Sequence, residues 1–187
     1  MDLQRIAKTT TGFPYMRLQQ AQQLAVRFVE WQPENILEIG TYHGTGTCYL
    51  AEMVRERNGH VTTVDLPWTA TDRMNRQVEQ QLEACGLDNV TVFRRDDGAE
   101  GLMFEHLVNE KPPFDFVYID GGHQWAKTVP QFCLALACLR PGGWILFDDI
   151  DNEKYPEVGA VWQHVVPNHP GVIETQECGN WGFARRA

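Results

Sequence analysis

The sequence predicts a doubly wound α/β fold: a mostly parallel sheet, covered on both faces by helices and closed by a C-terminal antiparallel hairpin. Three observations carry this reading. Five short apolar runs alternate with helix-patterned segments, each run ends on a glycine or on charged residues, and two further strand-like runs flank Cys178-Gly179 near the C-terminus. Short apolar strands separated by helices are parallel neighbours joined by crossovers, and crossovers place helices on both faces of a sheet.

Residues 15–31, YMRLQQAQQLAVRFVEW, set Leu18, Ala21, Leu24, Ala25, Phe28 and Val29 on one helical face before Pro33 stops the segment. ILEI at 36–39 reads as the first strand. A glycine-rich turn follows, then a helix, TCYLAEMVRERN, that Asn58-Gly59 is suited to cap. VTTVD at 61–65 leads into the helix TDRMNRQVEQQLEACG, and VTVFR at 90–94 opens a third unit ending near Asn109. FDFVYID at 114–120 follows Pro112-Pro113 and precedes a helix from about Thr128 to Leu139, with Pro130 placed in its first turn. RPGG at 140–143 is read as a turn before the fifth strand, WILF, which stops at Asp148-Asp149. VGAVWQHVV is a helix, and GVIETQE with NWGFARR forms the hairpin.

One domain over residues 1–187 is the expectation, with 1–34 as lead-in and 35–187 as core, because 187 residues slightly exceed a common domain length. A 43% hydrophobic and 22% charged composition is that of an ordinary globule. The absence of a membrane-length apolar run and of a secretory-type N-terminus points to a cytoplasmic protein with no membrane partner. The five cysteines, at 48, 85, 133, 138 and 178, contain no CxxC pair, so neither a disulfide framework nor a zinc cluster is signalled. A net charge of -9, from 25 acidic against 16 basic residues, opposes nucleic-acid binding.

In a doubly wound sheet ligands sit beyond the carboxyl ends of the strands. Here those ends read Gly40, Asp65, Arg94-Arg95-Asp96, Asp120 and Asp148-Asp149. The turn ILEIGTYHGTG offers glycines for close backbone approach. Tyr42 stands where a dinucleotide fingerprint needs its second glycine, which disfavours NAD or FAD. At the other side of the crevice, Asp120, Asp148 and Asp149 would gather three like charges that repel without a cation. A hard divalent ion with oxygen ligands, magnesium or else manganese or calcium, answers that conflict.

The pattern ExGxxxGxG, from Glu38 to Gly46, resembles motif I of the class I methyltransferases. The pair YIDGGHQW (118–125) and WILFDDI (144–150) is similar to the metal-dependent O-methyltransferases, most closely the small family-24 type with IDGxH and GG-hydrophobic-DD motifs. The resemblance covers residues 36–150 and implies a Rossmann-like methyltransferase fold that binds S-adenosylmethionine. It implies cofactor contacts at Glu38, Gly40, Tyr42 and Gly44, at Asp65 for the ribose, at Asp96 (or neighbouring Asp97) for the adenine amino group, and at Asp120. It further implies metal ligation by Asp120, Asp148 and Asp149, with Asp151 able to replace either of the last two, and a general base at His123, with Lys127 as a substitute. Methyl transfer to a hydroxyl of a small molecule is the activity so implied. A metal-independent enzyme, an N-directed enzyme and a non-catalytic S-adenosylmethionine-binding module stay as alternatives. A hydrolase is disfavoured by the lack of GxSxG. Residues 1–15, the stretch after Asp65 and residues 150–158 are the lid candidates, and a homodimer could complete the pocket. His43 reads as an incidental loop residue, and Trp68, Trp125, Trp162 and Trp181 as packing residues at least as readily as a substrate wall.

Overall fold

The computed structural model describes residues 1–11, 16–67 and 72–187, with backbone alone for 72–76. Trp68, residues 12–15 of the first lid candidate and 68–71 of the second therefore lie outside the described residues. The elements run α1 (Leu3–Thr9), α2 (Leu18–Trp31), β1 (Asn35–Ile39), α3 (Thr45–Val54), β2 (His60–Asp65), α4 (Asp72–Ala84), β3 (Val90–Arg94) and α5 (Gly98–Val108). They continue with β4 (Phe114–Ile119), α6 (Trp125–Cys138), β5 (Leu139–Phe147), α7 (Pro156–His164), β6 (Val172–Cys178) and β7 (Trp181–Arg186). Seven strands form one sheet in the order β3-β2-β1-β4-β5-β7-β6. The first five are parallel, while β7 runs antiparallel to β5 and to β6. This is the doubly wound class with its C-terminal hairpin, and the winding reverses between β1 and β4.

Strand alternation assigns each face its core. Leu37, Ile39, Val117, Ile119 and Ile145 pack beneath α5, α6 and α7, whereas Ile36, Phe116, Tyr118 and Leu146 pack with α2 and α3 on the other face. On that second face Trp31 of α2 stacks on Trp144 at 4.4 Å and Phe28 meets Phe116 edge-on at 4.9 Å. No helix among the described residues is long and apolar enough to cross a membrane.

Two expectations are corrected, and the lead-in holds a helix that the periodicity did not signal: Asp2 caps α1 by accepting from the Arg5 amide, and Ile6 is fully buried. Arg5 and the Asp2 amide reach Glu52 on α3 at 3.0 and 2.5 Å, so α1 docks near the C-terminal half of α3. Helix α6 begins at Trp125 rather than near Thr128, which leaves Pro130 inside it. The Thr128 hydroxyl donates to Gly122 O and Gln124 O at 2.8 and 3.0 Å, fastening a first turn that starts earlier than the proline cue. RPGG is not a turn before the strand but a bulge within β5: the register passes from Phe114↔Leu139 to Phe116↔Trp144, and Gly142 takes φ +74°.

Candidate active site

The carboxyl ends of β1, β2, β3 and β4 open into a cavity of about 900 Å³. Its floor is the turn after β1. Gly40, with φ +96°, crosses β4 so closely that a Cβ there would stand 2.0 Å from the Asp120 carbonyl oxygen. Only glycine fits at this crossing. Gly44 and Tyr42 also adopt positive φ, and the Tyr42 amide donates to Asp65 Oδ2 at 2.8 Å. The other Asp65 oxygen accepts from the Leu66 amide at 2.8 Å, so this carboxylate is oriented at the mouth of the turn. His43 fastens the turn: its Nδ1 lies 2.8 Å from Gln77 Oε1 and its carbonyl accepts from Gln81, which ties the glycine turn to α4.

Glu38 is 1% exposed and sits under the same turn. Its Oε2 accepts from Thr47 at 2.5 Å and Thr63 at 2.6 Å, and its Oε1 lies 2.8 Å from where a side chain on Gly46 would begin. Burial raises its carboxyl from the ordinary 4.5 to about 7 against the pull of the two threonine hydroxyls. Asp96 and Asp97 both border the cavity. They are not equivalent, because Asp97 is gripped by the Arg95 guanidinium at 2.8 and 2.9 Å, which holds its carboxyl below the usual range.

At the far side of the cavity the ends of β4 and β5 bring their acids together. Asp120, His123 and Asp149 each offer a ligand atom, and those atoms lie within 4.8 Å of one another. His123 Nε2 stands 3.0 Å from Asp149 Oδ2 and 4.0 Å from Asp120 Oδ1. Asp148 joins from another direction: the buried Tyr118 hydroxyl donates to Asp148 Oδ2 at 2.6 Å and lies 3.3 Å from Asp120 Oδ2. All three acids, with Asn180, Arg17 and Gln20, also line a second hollow of about 450 Å³.

The electrostatics divide the acids. Burial, then the charges of Asp148 and Asp149, push the Asp120 carboxyl well above the ordinary range, and burial raises Asp148. Asp149 is held low despite burial, by hydrogen bonds with His123, Asn152 and Asn180. The ligand atoms that converge are those of Asp120, His123 and Asp149, with Asp148 outside that group; two carboxylate oxygens and an imidazole nitrogen are donors of types a divalent cation accepts. Asp149 takes φ +63°, a conformation that the 2.7 Å Asn180 and 2.8 Å Asn152 hydrogen bonds to its Oδ1 hold in place.

The His123 ring is clamped from two sides, by Asp149 and by Tyr155, whose ring stacks on it at 3.7 Å and 19°. Lys127 is turned to Glu100 at 3.7 Å. Asp151 is exposed and uses its amide toward Asn180 rather than its carboxylate toward the acids. Trp162 and Trp181 are packing residues, 4% and 2% exposed, while Trp125 is exposed. Sequence reasoning missed Tyr118, Asn180 and Tyr155. Asn180 belongs to the β6–β7 turn, more than 30 residues from the acids it contacts, and only the sheet order brings that turn to the end of β5.

A family model described as a methyltransferase domain matches residues 37–150. The malonyl-[acyl-carrier protein] O-methyltransferase of Serratia marcescens is 29% identical over 142 residues, 71% of this chain and 49% of that protein. The chain spans about half the length of the curated relatives it matches. Among solved structures, the O-methyltransferase from Bacillus cereus in complex with S-adenosylhomocysteine superposes with a TM-score of 0.73 at 22% identity, covering 99% of this chain and 88% of that one. The methyltransferase MycE of the mycinamycin biosynthetic pathway, in complex with magnesium, S-adenosylhomocysteine and mycinamycin VI, superposes with a TM-score of 0.66 at 15% identity, covering 100% of this chain and 55% of that one. These structural likenesses concern the fold.

Proposed function

The chain belongs to the class I S-adenosylmethionine-dependent methyltransferases, in the family whose domain model spans residues 37–150, and on that premise we propose that it methylates a hydroxyl oxygen of a small molecule with the help of a divalent cation. The observation that carries this reading is the meeting of Asp120, His123 and Asp149 at the rim of the cavity floored by Gly40. S-adenosylmethionine supplies the electrophilic methyl group. Glu38, Gly40, Tyr42 and Gly44 would hold its amino-acid end, with Asp120 beside them. Asp65 would take the ribose hydroxyls and Asp96, which borders the cavity, the adenine amino group. Asp120, Asp148 and Asp149 would hold the cation, which lowers the pKa of an acceptor hydroxyl. The complex of MycE with magnesium supports the choice of metal.

His123 is the proton acceptor in this reading. With Nε2 turned to Asp149, Nδ1 is the nitrogen left for the acceptor's proton, and the Tyr155 stack keeps the ring from rotating. Residues 1–187 are taken to act as one catalytic domain. A second reading, metal-independent transfer by the His123–Asp149 pair alone, is favoured by their 3.0 Å contact. One experiment separates the two: transfer of labelled methyl from S-adenosylmethionine to a panel of phenols, catechols, sugars and hydroxy acids, with magnesium or with EDTA. Metal dependence predicts loss of product in EDTA and in Asp148→Asn, with cofactor binding retained in that variant. Product formed equally in EDTA would select the second reading, and no product from any acceptor would leave a cofactor-binding module.

A further inference from the structure

We propose that Tyr118 is a positioning residue of the cation site, its hydroxyl setting how far apart Asp120 and Asp148 stand and which way they face. The inference rests on the metal reading above. Tyr118 lies on β4 in register with Leu146 of β5, and each aspartate follows two residues later, one past the end of its strand, where its amide still continues the ladder. Side chains two apart on a strand share a face, so the Tyr118 hydroxyl arrives between the two carboxylates. It donates to Asp148 Oδ2 at 2.6 Å and approaches Asp120 Oδ2 at 3.3 Å. A hydroxyl has one proton to give, and the unequal distances show which acid receives it.

The ring itself has no freedom to swing. Tyr118 is 3% exposed and belongs to the same packed cluster as Met16, Leu146 and Trp181. Its Cε1 lies 3.7 Å from where a Gly46 side chain would start. Glu38, the other acid on this face, already has Thr47 and Thr63 as donors on Oε2, which leaves the phenol to the aspartates. Each aspartate stands just past the end of its strand. Without the hydroxyl the donor that Asp148 and Asp120 share is lost, their mutual repulsion is less opposed before a cation arrives, and Asp120 above all would have to be reoriented at the cost of binding free energy. Asp148 has a second anchor, since its Oδ1 accepts from the Asp149 amide at 2.8 Å, whereas Asp120 has none of comparable length among the described residues. Among the described residues Tyr118 is thus the side chain within hydrogen-bond reach of both acids.

The test uses Mn²⁺ as the probe on the full chain, with free and bound ion counted by electron paramagnetic resonance, and S-adenosylhomocysteine affinity measured in parallel by calorimetry. Tyr118→Phe keeps the ring and removes the hydroxyl; Tyr49→Phe, on α3 and equally buried, controls for losing a buried hydroxyl elsewhere. The expected result is Mn²⁺ affinity about tenfold or more weaker in Tyr118→Phe, with S-adenosylhomocysteine affinity unchanged and Tyr49→Phe like wild type. Unchanged Mn²⁺ affinity in Tyr118→Phe would overturn the proposal, as would an equal fall in both affinities, which marks a packing role only. Wild-type protein that takes up no Mn²⁺ would instead remove the metal reading, and this inference with it.

Discussion

Replacing Glu38 by glutamine changes how the stability of the protein depends on pH. In the folded state burial raises this carboxyl from 4.5 to about 7. Below pH 4.5 it is protonated in both folded and unfolded chains and burial costs nothing extra. Between pH 4.5 and 7 the unfolded chain releases the proton while the folded chain keeps it, so the stability present at low pH is lost as the pH rises through 7. At about 1.4 kcal/mol per pH unit, wild type loses about 2–3 kcal/mol from this group between pH 5 and pH 8. Glutamine keeps the shape, and its amide oxygen can still accept from Thr47 and Thr63, but it does not titrate. Urea denaturation of both proteins at pH 5 and pH 8 gives the difference directly: the Gln variant gains about 2–3 kcal/mol on wild type over that interval. A gap that stays constant between the two pH values would refute the assignment of a buried, neutral Glu38. If Glu38 holds the cofactor's amino group as proposed, that cation would favour the ionised form, so wild-type cofactor affinity should rise over the same interval while that of Glu38→Gln stays flat.

Other substitutions probe the cradle separately. Gly40→Ala forces a Cβ to within 2.0 Å of the Asp120 carbonyl oxygen at φ +96°, so the end of β4 must move; thermal unfolding should show a loss of at least about 2 kcal/mol together with lost cofactor binding, and a variant like wild type in both would contradict the geometry. Asp65→Ala removes the acceptor of the Tyr42 amide and the proposed ribose contact, and calorimetry should show affinity for S-adenosylhomocysteine weakened roughly tenfold to a hundredfold with the fold intact. Unaltered affinity would take Asp65 out of the site.

The sheet was readable because the central parallel strands β1, β4 and β5 are buried on both faces and so appear as short apolar runs, and because each run stops on the residue that faces the crevice. Gly40, Asp65, Asp120 and Asp148-Asp149 could be picked out for that reason alone. Local cues misled where tertiary contacts override them. Pro130 marks a first turn statistically, yet the helix starts at Trp125, with the Thr128 hydroxyl fastened to Gly122 O. RPGG has turn composition, yet β5 continues through it as a bulge paired to β4. Helix α1 is too short for a periodic signal and owes its place to Ile6 and to the Arg5–Glu52 pair. Asn180, Tyr155 and the Tyr118 hydroxyl were invisible for a common reason: each acts across a distance in sequence or from a strand position whose apolar neighbours make it look like core. The acids could be found singly, but which of them is neutral, ionised or paired depends on burial and on these partners.

The most direct measurement is titration calorimetry of the purified chain with S-adenosylmethionine and S-adenosylhomocysteine, with and without magnesium. A class I methyltransferase carrying this cradle should bind both, in the micromolar range, with the cavity above Gly40 as the site, so that binding disappears in Gly40→Ala. No heat from either ligand under either condition would contradict the methyltransferase reading and leave the acid cluster at the ends of β4 and β5 without the reaction proposed for it.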